Sequence, residues 1–156
     1  MTFMGKLGWF VSLVLAAVIA TGVWLFIKGD TVPASDGRAS IRLSEGERDK
    51  VLGEMRGLLE AAQAIIEASV ANDMATVEAE ARKVGMAAAE GESPALMAKL
   101  PLEFMTLGLG THQAMDDLAD LAATNPGKDA VLGALAETML NCTACHASYR
   151  LEAVAE

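Results

Sequence analysis

The first apolar stretch of the chain carries no charge. Residues 7–27 read LGWFVSLVLAAVIATGVWLFI, and a lysine stands on either side. A helix of this length, rising about 1.5 Å per residue, crosses a bilayer core of about 30 Å. Trp9 and Trp24 lie near its two ends, where membrane interfaces favour indole rings. The pattern predicts an uncleaved single-pass transmembrane anchor over residues 1–28.

A cleaved signal peptide is the alternative for this segment. The apolar core of a signal peptide is shorter, roughly 7 to 15 residues, and ends in a cleavage site with two small residues. The nearest match here, Val18-Ile19-Ala20, lacks the small residue at its first position. An anchor and a cleaved signal peptide would both direct export of the chain. We therefore expect the domain that follows this segment on the periplasmic side of the membrane.

Behind the anchor the pattern changes twice. Residues 29–43, GDTVPASDGRASIRL, mix Gly, Pro, Ser and Asp without an apolar period, which predicts a flexible linker. From Ser44 onward, apolar residues recur at steps of three and four, the period of a helix buried on one side. A helical domain is therefore predicted over residues 44–156.

Four helices are predicted in this domain. The capping box Ser44-x-x-Glu47 marks the start of the first, and Asn125-Pro126 marks the start of the last. The predicted ranges are 45–70, 73–90, a third helix with a short turn at 94–99 and a main run ending near Thr124, and 127–151. Short connections between heptad-like stripes predict an all-α, antiparallel up-down-up-down four-helix bundle.

The predicted inward stripes are rich in Ala and Met, and aromatic residues make up 4% of the chain. The inward positions are predicted as Leu52, Met55, Leu59, Ala62 and Ile66 on the first helix, Met74, Val77, Ala81, Val84 and Ala88 on the second, and Leu132, Leu135, Met139, Cys142, His146 and Tyr149 on the last. Such small side chains under-fill the space between four helices, which indicates that another group occupies it.

The stretch NCTACHASYR, residues 141–150, holds both cysteines of the chain and one of its two histidines. C-x-x-C-H is the attachment signature of c-type haem. Its spacing places both sulfurs along one edge of a helix, where they form thioethers with the two vinyl groups, and the histidine binds iron through Nε2. We therefore predict one covalently attached haem c, held by Cys142 and Cys145, with His146 as the iron ligand.

Three other interpretations of these residues stay open. A structural zinc site needs four ligands, and only three lie here, with His112 far off in sequence. A thioredoxin-like redox pair is typical of a βαβ context, which the helical pattern does not offer. A disulfide is compatible with the three-residue spacing.

The same motif resembles the class II c-type cytochromes, the cytochrome c prime family, which carry CxxCHxxYR on the last helix of a four-helix bundle. The resemblance covers about residues 44–152, with an N-terminal anchor and a short connection between the second and third helices as departures. In that family the first helix carries Arg-x-x-x-Leu or Arg-x-x-x-Met, and Arg48-x-x-x-Leu52 matches this spacing. The resemblance implies that Arg48 lies near a haem propionate and that Leu52 covers the distal face of the haem.

Tyr149 and Arg150 complete the motif and are predicted to belong to the haem site. Arg150 follows His146 by one helical turn, which places a positive charge near the imidazole or a propionate. A favourable interaction with the C-terminal end of the helix dipole is the alternative for this arginine.

The sixth position of the iron separates the functional hypotheses. If Leu52 covers the iron, no protein atom binds there, and a small gas such as NO can enter an apolar pocket. If Met55, Met105 or His112 reaches the iron instead, the haem is six-coordinate and suited to electron transfer. The sequence leaves these four possibilities open.

Charge excludes one class of partner. From Thr31 to the C-terminus the chain carries 10 Lys and Arg against 20 Asp and Glu, so there is no basic patch for nucleic acid. The sequence contains neither a nucleophile paired with a base nor a second set of metal ligands, so we do not predict an enzyme. We therefore predict membrane-anchored one-electron transfer with a redox complex or a soluble redox protein, alternatively NO binding, or a structural subunit of a membrane complex. A homodimer through the first helix is compatible with these functions.

Overall fold

The computed structural model describes the backbone of residues 3–154 and the side chains of residues 8–154. Residues 1–2 of the predicted anchor and 155–156 of the predicted domain lie outside the described residues. The described chain is mostly helical, at 73%. Its elements are α1 Phe3–Lys28, β1 Thr31–Pro33, β2 Ala39–Leu43, α2 Glu45–Val70, α3 Met74–Lys83, a 3₁₀ turn Met86–Ala89, α4 Pro94–Met97, α5 Leu102–Ala123, α6 Lys128–Ser148 and β3 Tyr149–Ala153.

α1 confirms the helix that the uncharged stretch predicts. Its segment Gly8–Lys28 has 21 residues with a mean hydropathy of 2.5 and is 0% buried, so it is long and apolar enough to cross a membrane. The Lys28 ammonium lies 5.1 Å from the centroid of the Trp24 ring. This cation–π pair places a charged and an aromatic side chain together at the end of the apolar helix, as membrane interfaces favour.

The prediction of a flexible linker over residues 29–43 is wrong. β1 pairs antiparallel with β2, and β2 pairs parallel with β3, in a three-stranded sheet of order β1-β2-β3. Ile41 and Leu43 of β2 are 0% exposed, because alternate side chains of a strand point to the same face. The sheet therefore connects the segment after α1 to the segment after α6.

The last helix is shorter than predicted. α6 ends at Ser148, and residues 149–153 form β3 instead of continuing the helix to 151. The Arg38 guanidinium donates to the carbonyl oxygens of His146 and Tyr149, 3.3 Å from each. These bonds satisfy carbonyls that the helix leaves free at its C-terminus, while the pairing of β2 with β3 holds the chain extended.

The predicted starts of two helices are confirmed at their caps. The Ser44 side chain accepts from the Glu47 backbone N–H, and the Glu47 carboxylate accepts from the Ser44 N–H at 2.8 Å, which is the capping box. Asp73 caps α3 by accepting from the Thr76 N–H. The second predicted helix, 73–90, is broken: α3 ends at Lys83 and the 3₁₀ turn follows.

Two apolar clusters form the interior. The helix core lies between α2, α3, α5 and α6, where α2 and α5 each contact both α3 and α6. The helix core consists of Ala62, Ile65, Ala68, Met74, Val77, Ala81, Met115, Leu118, Ala119, Ala122, Val131 and Leu135. The sheet core consists of Ile41, Leu43, Val51, Leu96, Leu100 and Phe104.

Several predicted inward positions prove exposed. Leu59 and Ile66 of α2 are 70% and 42% exposed, and the buried positions lie one residue earlier along the helix, as at Ile65.

On α6, Met139 is 44% exposed and His146 is also exposed, whereas Val131 and Leu135 are buried. Of the predicted stripe of the second helix, Met74, Val77 and Ala81 on α3 are buried, whereas Val84 after its end is half-buried and Ala88 is exposed. The buried face of α2 includes three alanines, because small side chains let helices approach closely.

Candidate functional site

A cavity of about 430 Å³ opens between α2, α5 and α6. This volume falls within the range of about 300–1,000 Å³ typical of small-molecule and cofactor sites. The cavity is lined by Val51, Leu52, Glu54, Met55, Arg56, Leu58, Leu59 and Ala62 of α2, by Phe104, Leu107, Gly108, Thr111, His112 and Met115 of α5, and by Thr138, Met139, Asn141, Cys142, Cys145 and His146 of α6. We call it the main cavity.

A smaller cavity of about 200 Å³ adjoins the main cavity. The two share five lining residues, namely Leu52, Met55, Phe104, Cys145 and His146. The smaller cavity adds Arg38, Tyr149, Arg150 and Leu151. Two guanidinium groups therefore flank the side nearest the sheet.

The residues of the C-x-x-C-H motif lie on one wall of the main cavity. α6 carries Cys142, Cys145 and His146 in its last two turns, so the three-residue spacing puts both sulfurs on the same face. Both cysteines are partly buried free thiols. Burial raises the pKa of each thiol, so both stay protonated at neutral pH.

The shape and chemistry of this wall fit a covalently attached haem. Two thiols and one imidazole face a mostly apolar cavity of cofactor size, which is the donor set that c-type attachment requires. At Gly108, opposite on α5, an added Cβ would meet nothing within 4 Å, so the space beside this glycine is open. The residues present therefore fit the group that the sequence predicts.

The structure brings Leu52 to the site but not Arg48. Leu52 lines both cavities, whereas the Arg48 guanidinium pairs with the neighbouring Asp49 carboxylate at 2.8 Å. Arg48 is not among the described residues that line either cavity, because it lies one turn nearer the start of α2. The cations at the cavities are Arg38, Arg56 and Arg150.

Sequence reasoning missed Arg38 and Arg56. Arg38 belongs to the segment that was predicted to be a linker, and its position depends on the pairing of β2 with β3. Arg56 lies one helical turn after Leu52, so helical spacing alone is a signal that could have indicated it.

The three candidate side chains for a sixth iron ligand occupy different places. Met55 lines both cavities, and Met105 packs against the sheet core without appearing among the described lining residues. His112 is buried and lines the main cavity. Its Nδ1 donates to the Val84 carbonyl oxygen at 2.8 Å, since a carbonyl oxygen can only accept.

Tyr149 is held by two contacts. Its hydroxyl donates to the Glu103 carboxylate at 2.8 Å, and its ring packs edge-on against Phe104, with the ring centroids 5.7 Å apart. Burial, together with the neighbouring Glu103, raises the pKa of Tyr149 to about 12. The phenol therefore stays protonated and acts as a donor at neutral pH.

Glu54 of α2 lines the main cavity and lies close to a second carboxylate, Glu92, which is not among the lining residues. Burial, and then the negative charge of Glu92, raise the pKa of the Glu54 carboxyl to about 6. The Lys50 ammonium pairs with Glu92 at 2.6 Å and offsets part of that charge. Neither carboxylate belongs to the predicted site, and their effect on it is electrostatic.

Comparisons with known proteins found no relative of this chain. Neither a family model, nor a curated protein, nor a solved structure matches the chain. Among the residues whose side chains are described, no three His, Cys, Asp or Glu side chains form a group that could hold a metal ion. The functional argument therefore depends on the geometry of the site itself.

Proposed function

We propose that this chain is a membrane-anchored monohaem c-type cytochrome of class II, which transfers single electrons on the periplasmic side of the membrane. One haem c is attached through thioethers to Cys142 and Cys145, and His146 is its iron ligand. The observation that carries the proposal is the position of the complete C-x-x-C-H motif on the wall of a cofactor-sized cavity.

The architecture that goes with this proposal is an antiparallel up-down-up-down bundle of four helices. α2, α3, α5 and α6 are its members, and each contacts two of the others. The short connections 71–73, between α2 and α3, and 124–127, between α5 and α6, support antiparallel neighbours, whereas the longer segment 84–101 joins α3 to α5. In this arrangement the haem occupies the part of the interior that the apolar side chains leave open.

The haem supplies a reversible one-electron iron centre, and the residues around it bind and shield it. Leu52, Met55 and Phe104 line both cavities with apolar surface, which would pack against a bound haem. Arg38 and Arg150 lie at the smaller cavity, and both guanidinium groups are paired with Asp36, at 2.7 and 3.8 Å. Carboxylate groups of a bound cofactor would be stabilised there by exchanging places with Asp36 or by sharing these cations with it.

The anchor favours electron transfer among the functions open to such a site. A tether holds the domain at high effective concentration beside membrane redox complexes, whereas a gas buffer gains little from this position. The acidic surface of the domain fits a partner with a basic docking face.

Gas binding is the second candidate, and one observation favours it. Leu52 lies at both cavities and cannot coordinate iron, so it would leave the sixth position to a small ligand. The side chains of Met55 and His112 line the main cavity and would have the opposite effect if either reached the iron.

Visible absorption of the full-length protein tests the proposal. We expect a c-type haem spectrum with sharp α and β bands on reduction, little change on adding CO, and electron exchange with membrane redox complexes. A five-coordinate spectrum that shifts strongly with CO or NO would support the gas-binding alternative. A protein without any haem spectrum, after production in cells that mature c-type cytochromes, would overturn both.

A further inference from the structure

The carbonyl of His146, the proposed iron ligand, lies in the last turn of α6, where helical pairing ends. α6 stops at Ser148, and the N–H of Tyr149, the residue that follows, still donates to the Cys145 carbonyl. In a continued helix the His146 carbonyl would accept from the N–H of Arg150, but Arg150 already belongs to β3. The His146 carbonyl is therefore open to a donor from elsewhere in the chain.

The turn between β1 and β2 brings such a donor to the end of α6. Gly37 adopts the positive φ of 86° in this turn, a conformation that glycine takes without steric cost. The pairing of Ala39 with Tyr149 places the turn beside the last residues of α6. Arg38 directly precedes Ala39, and its Nη1 donates to the carbonyl oxygens of His146 and Tyr149, 3.3 Å from each. We call this pair of bonds the Arg38 bridge.

The rest of the Arg38 guanidinium is held by Asp36. Nη2 and Nε donate to one carboxylate oxygen at 2.7 and 3.0 Å, and the Arg38 backbone N–H donates to the other oxygen at 3.1 Å. These bonds, with the side-chain bond first, lower the pKa of Asp36, so its carboxylate stays charged at neutral pH. The planar guanidinium thus binds a carboxylate and two carbonyls at once, whereas a lysine ammonium has a single nitrogen for all three.

The Arg38 bridge lies on the wall that carries the C-x-x-C-H motif. Arg38 lines the smaller cavity together with Cys145 and His146. Because the backbone conformation of a residue limits the rotamers of its side chain, a fixed main chain at His146 restricts the directions open to the imidazole. The bridge therefore acts on the imidazole through the main chain, without touching the ring.

We propose that Arg38 is a positioning residue for His146: its guanidinium fixes the main chain at the end of α6 and thereby orients the imidazole toward the candidate haem site. The effect on an iron ligand rests on the proposed function, whereas the fixing of the α6 end does not. The geometry requires a planar fork of donors at this position, and not only a positive charge.

Amide hydrogen exchange of the full-length protein tests the Arg38 bridge with or without haem. In Arg38→Ala we expect the amides of residues 146–149 to exchange at least tenfold faster than in the parent. The amides of residues 118–122, in the helix core, should keep their rates, which shows that the variant is folded. Arg42→Ala is the matched control, because Arg42 lies on β2 and also pairs with an aspartate, Asp30, but lines neither the main nor the smaller cavity.

The EPR spectrum of the oxidised, haem-loaded protein tests the orientation of the imidazole, because its g values report the geometry of the axial ligand. We expect broader lines in Arg38→Ala, where the imidazole takes several orientations. Arg38→Lys keeps the positive charge but loses the fork, so it should show the same broadening and the same faster exchange. Arg42→Ala should give the spectrum of the parent.

Two results would overturn the proposal while leaving a haem-loaded protein and its proposed function intact. In the first, Arg38→Ala matches Arg42→Ala in both exchange and EPR. In the second, Arg38→Lys behaves like the parent, which would show that charge alone acts. A parent protein without haem would instead refute the proposed function and the role at iron, and the exchange rates would still decide whether Arg38 fixes the end of α6.

Discussion

The two halves of the helical interior differ although the same helices build them. In the half that holds the helix core, Val77, Ala119 and Val131 are 0% exposed. In the half that holds the main cavity, Leu59 and Met139 line open space and are 70% and 44% exposed. α2, α5 and α6 run through both halves. The first half is filled by its own side chains, whereas the second contains the main cavity.

The short α3 accounts for this difference. It ends at Lys83, and its buried residues, Met74, Val77 and Ala81, all belong to the helix core. No α3 residue is among the described lining of the main cavity. Three helices instead of four therefore surround the open half, and the C-x-x-C-H motif lies there.

Truncating a side chain in the filled half should have the largest effect on stability. Ile65→Ala is expected to lower the free energy of unfolding by about 2–5 kcal/mol, because Ile65 is 0% exposed and its neighbours cannot collapse fully into the space. Ile66→Ala, at the next position and 42% exposed, is the matched control and should cost less than about 1 kcal/mol. Denaturant unfolding measures both. Equal losses would contradict the assignment of the buried face of α2.

Attachment of haem should change the two halves unequally. Amide hydrogen exchange of the full-length protein is compared with that of the haem-free Cys142→Ser/Cys145→Ser variant. We expect residues 104–112 of α5, at the main cavity, to exchange at least tenfold more slowly with haem present. Residues 118–122, in the helix core, should change less. A uniform change along α5 would argue against a division into two halves.

Filling the cavity from α5 should stabilise the haem-free chain and prevent haem attachment. In the Cys142→Ser/Cys145→Ser background, Gly108→Leu is expected to raise the free energy of unfolding by about 1 kcal/mol, since glycine is a poor helix former and the space beside it is open.

With both cysteines present, Gly108→Leu should lower the haem content measured by absorption. Gly133→Leu is the control, because Gly133 is exposed on α6 and also meets nothing within 4 Å. It should gain similar helix stability while keeping its haem. Normal haem content in Gly108→Leu would mean that the haem does not occupy the main cavity.

The smallest expected effect concerns the edge between α3 and α5. Asp116 accepts from the Met86 N–H at 2.8 Å and pairs with Arg82 at 2.9 Å, and these contacts, the backbone bond first, lower the pKa of its carboxyl. Asp116→Asn is expected to cost about 1 kcal/mol at pH 7.

The pH dependence of that loss follows from the lowered pKa. A carboxylate with a lowered folded-state pKa contributes stability above its unfolded value of 3.8, and the contribution disappears as the pH falls through the folded value. The difference between the parent and Asp116→Asn should therefore shrink below pH 4. Asp117→Asn, the exposed neighbour, should show little loss at either pH. A difference between parent and Asp116→Asn that persists at pH 2 would contradict this assignment.

The sequence predicted those features that depend on neighbours along the chain. The uncharged run predicted α1, and the capping box at Ser44 predicted the start of α2. The three-residue spacing of the cysteines predicted that both lie on one face of α6. Each of these depends on contacts within a few residues, so local patterns carry the information.

Features that depend on distant residues were not predicted. β2 pairs with β3 in a register that joins Ala39 to Tyr149, and no local pattern in the short segment ASIRL indicates that partner. The position of Arg38 at the smaller cavity depends on this pairing. The bond of His112 Nδ1 to the Val84 carbonyl likewise joins α5 to the residue that follows α3, so it depends on packing and not on periodicity.

Intact-mass spectrometry of the full-length protein, produced in cells that mature c-type cytochromes, tests the central claim most directly. The account predicts that the polypeptide carries the added mass of one haem, that this mass survives denaturation in acid and organic solvent, and that it is lost in Cys142→Ser/Cys145→Ser. A polypeptide at its bare mass in the parent protein would contradict the account.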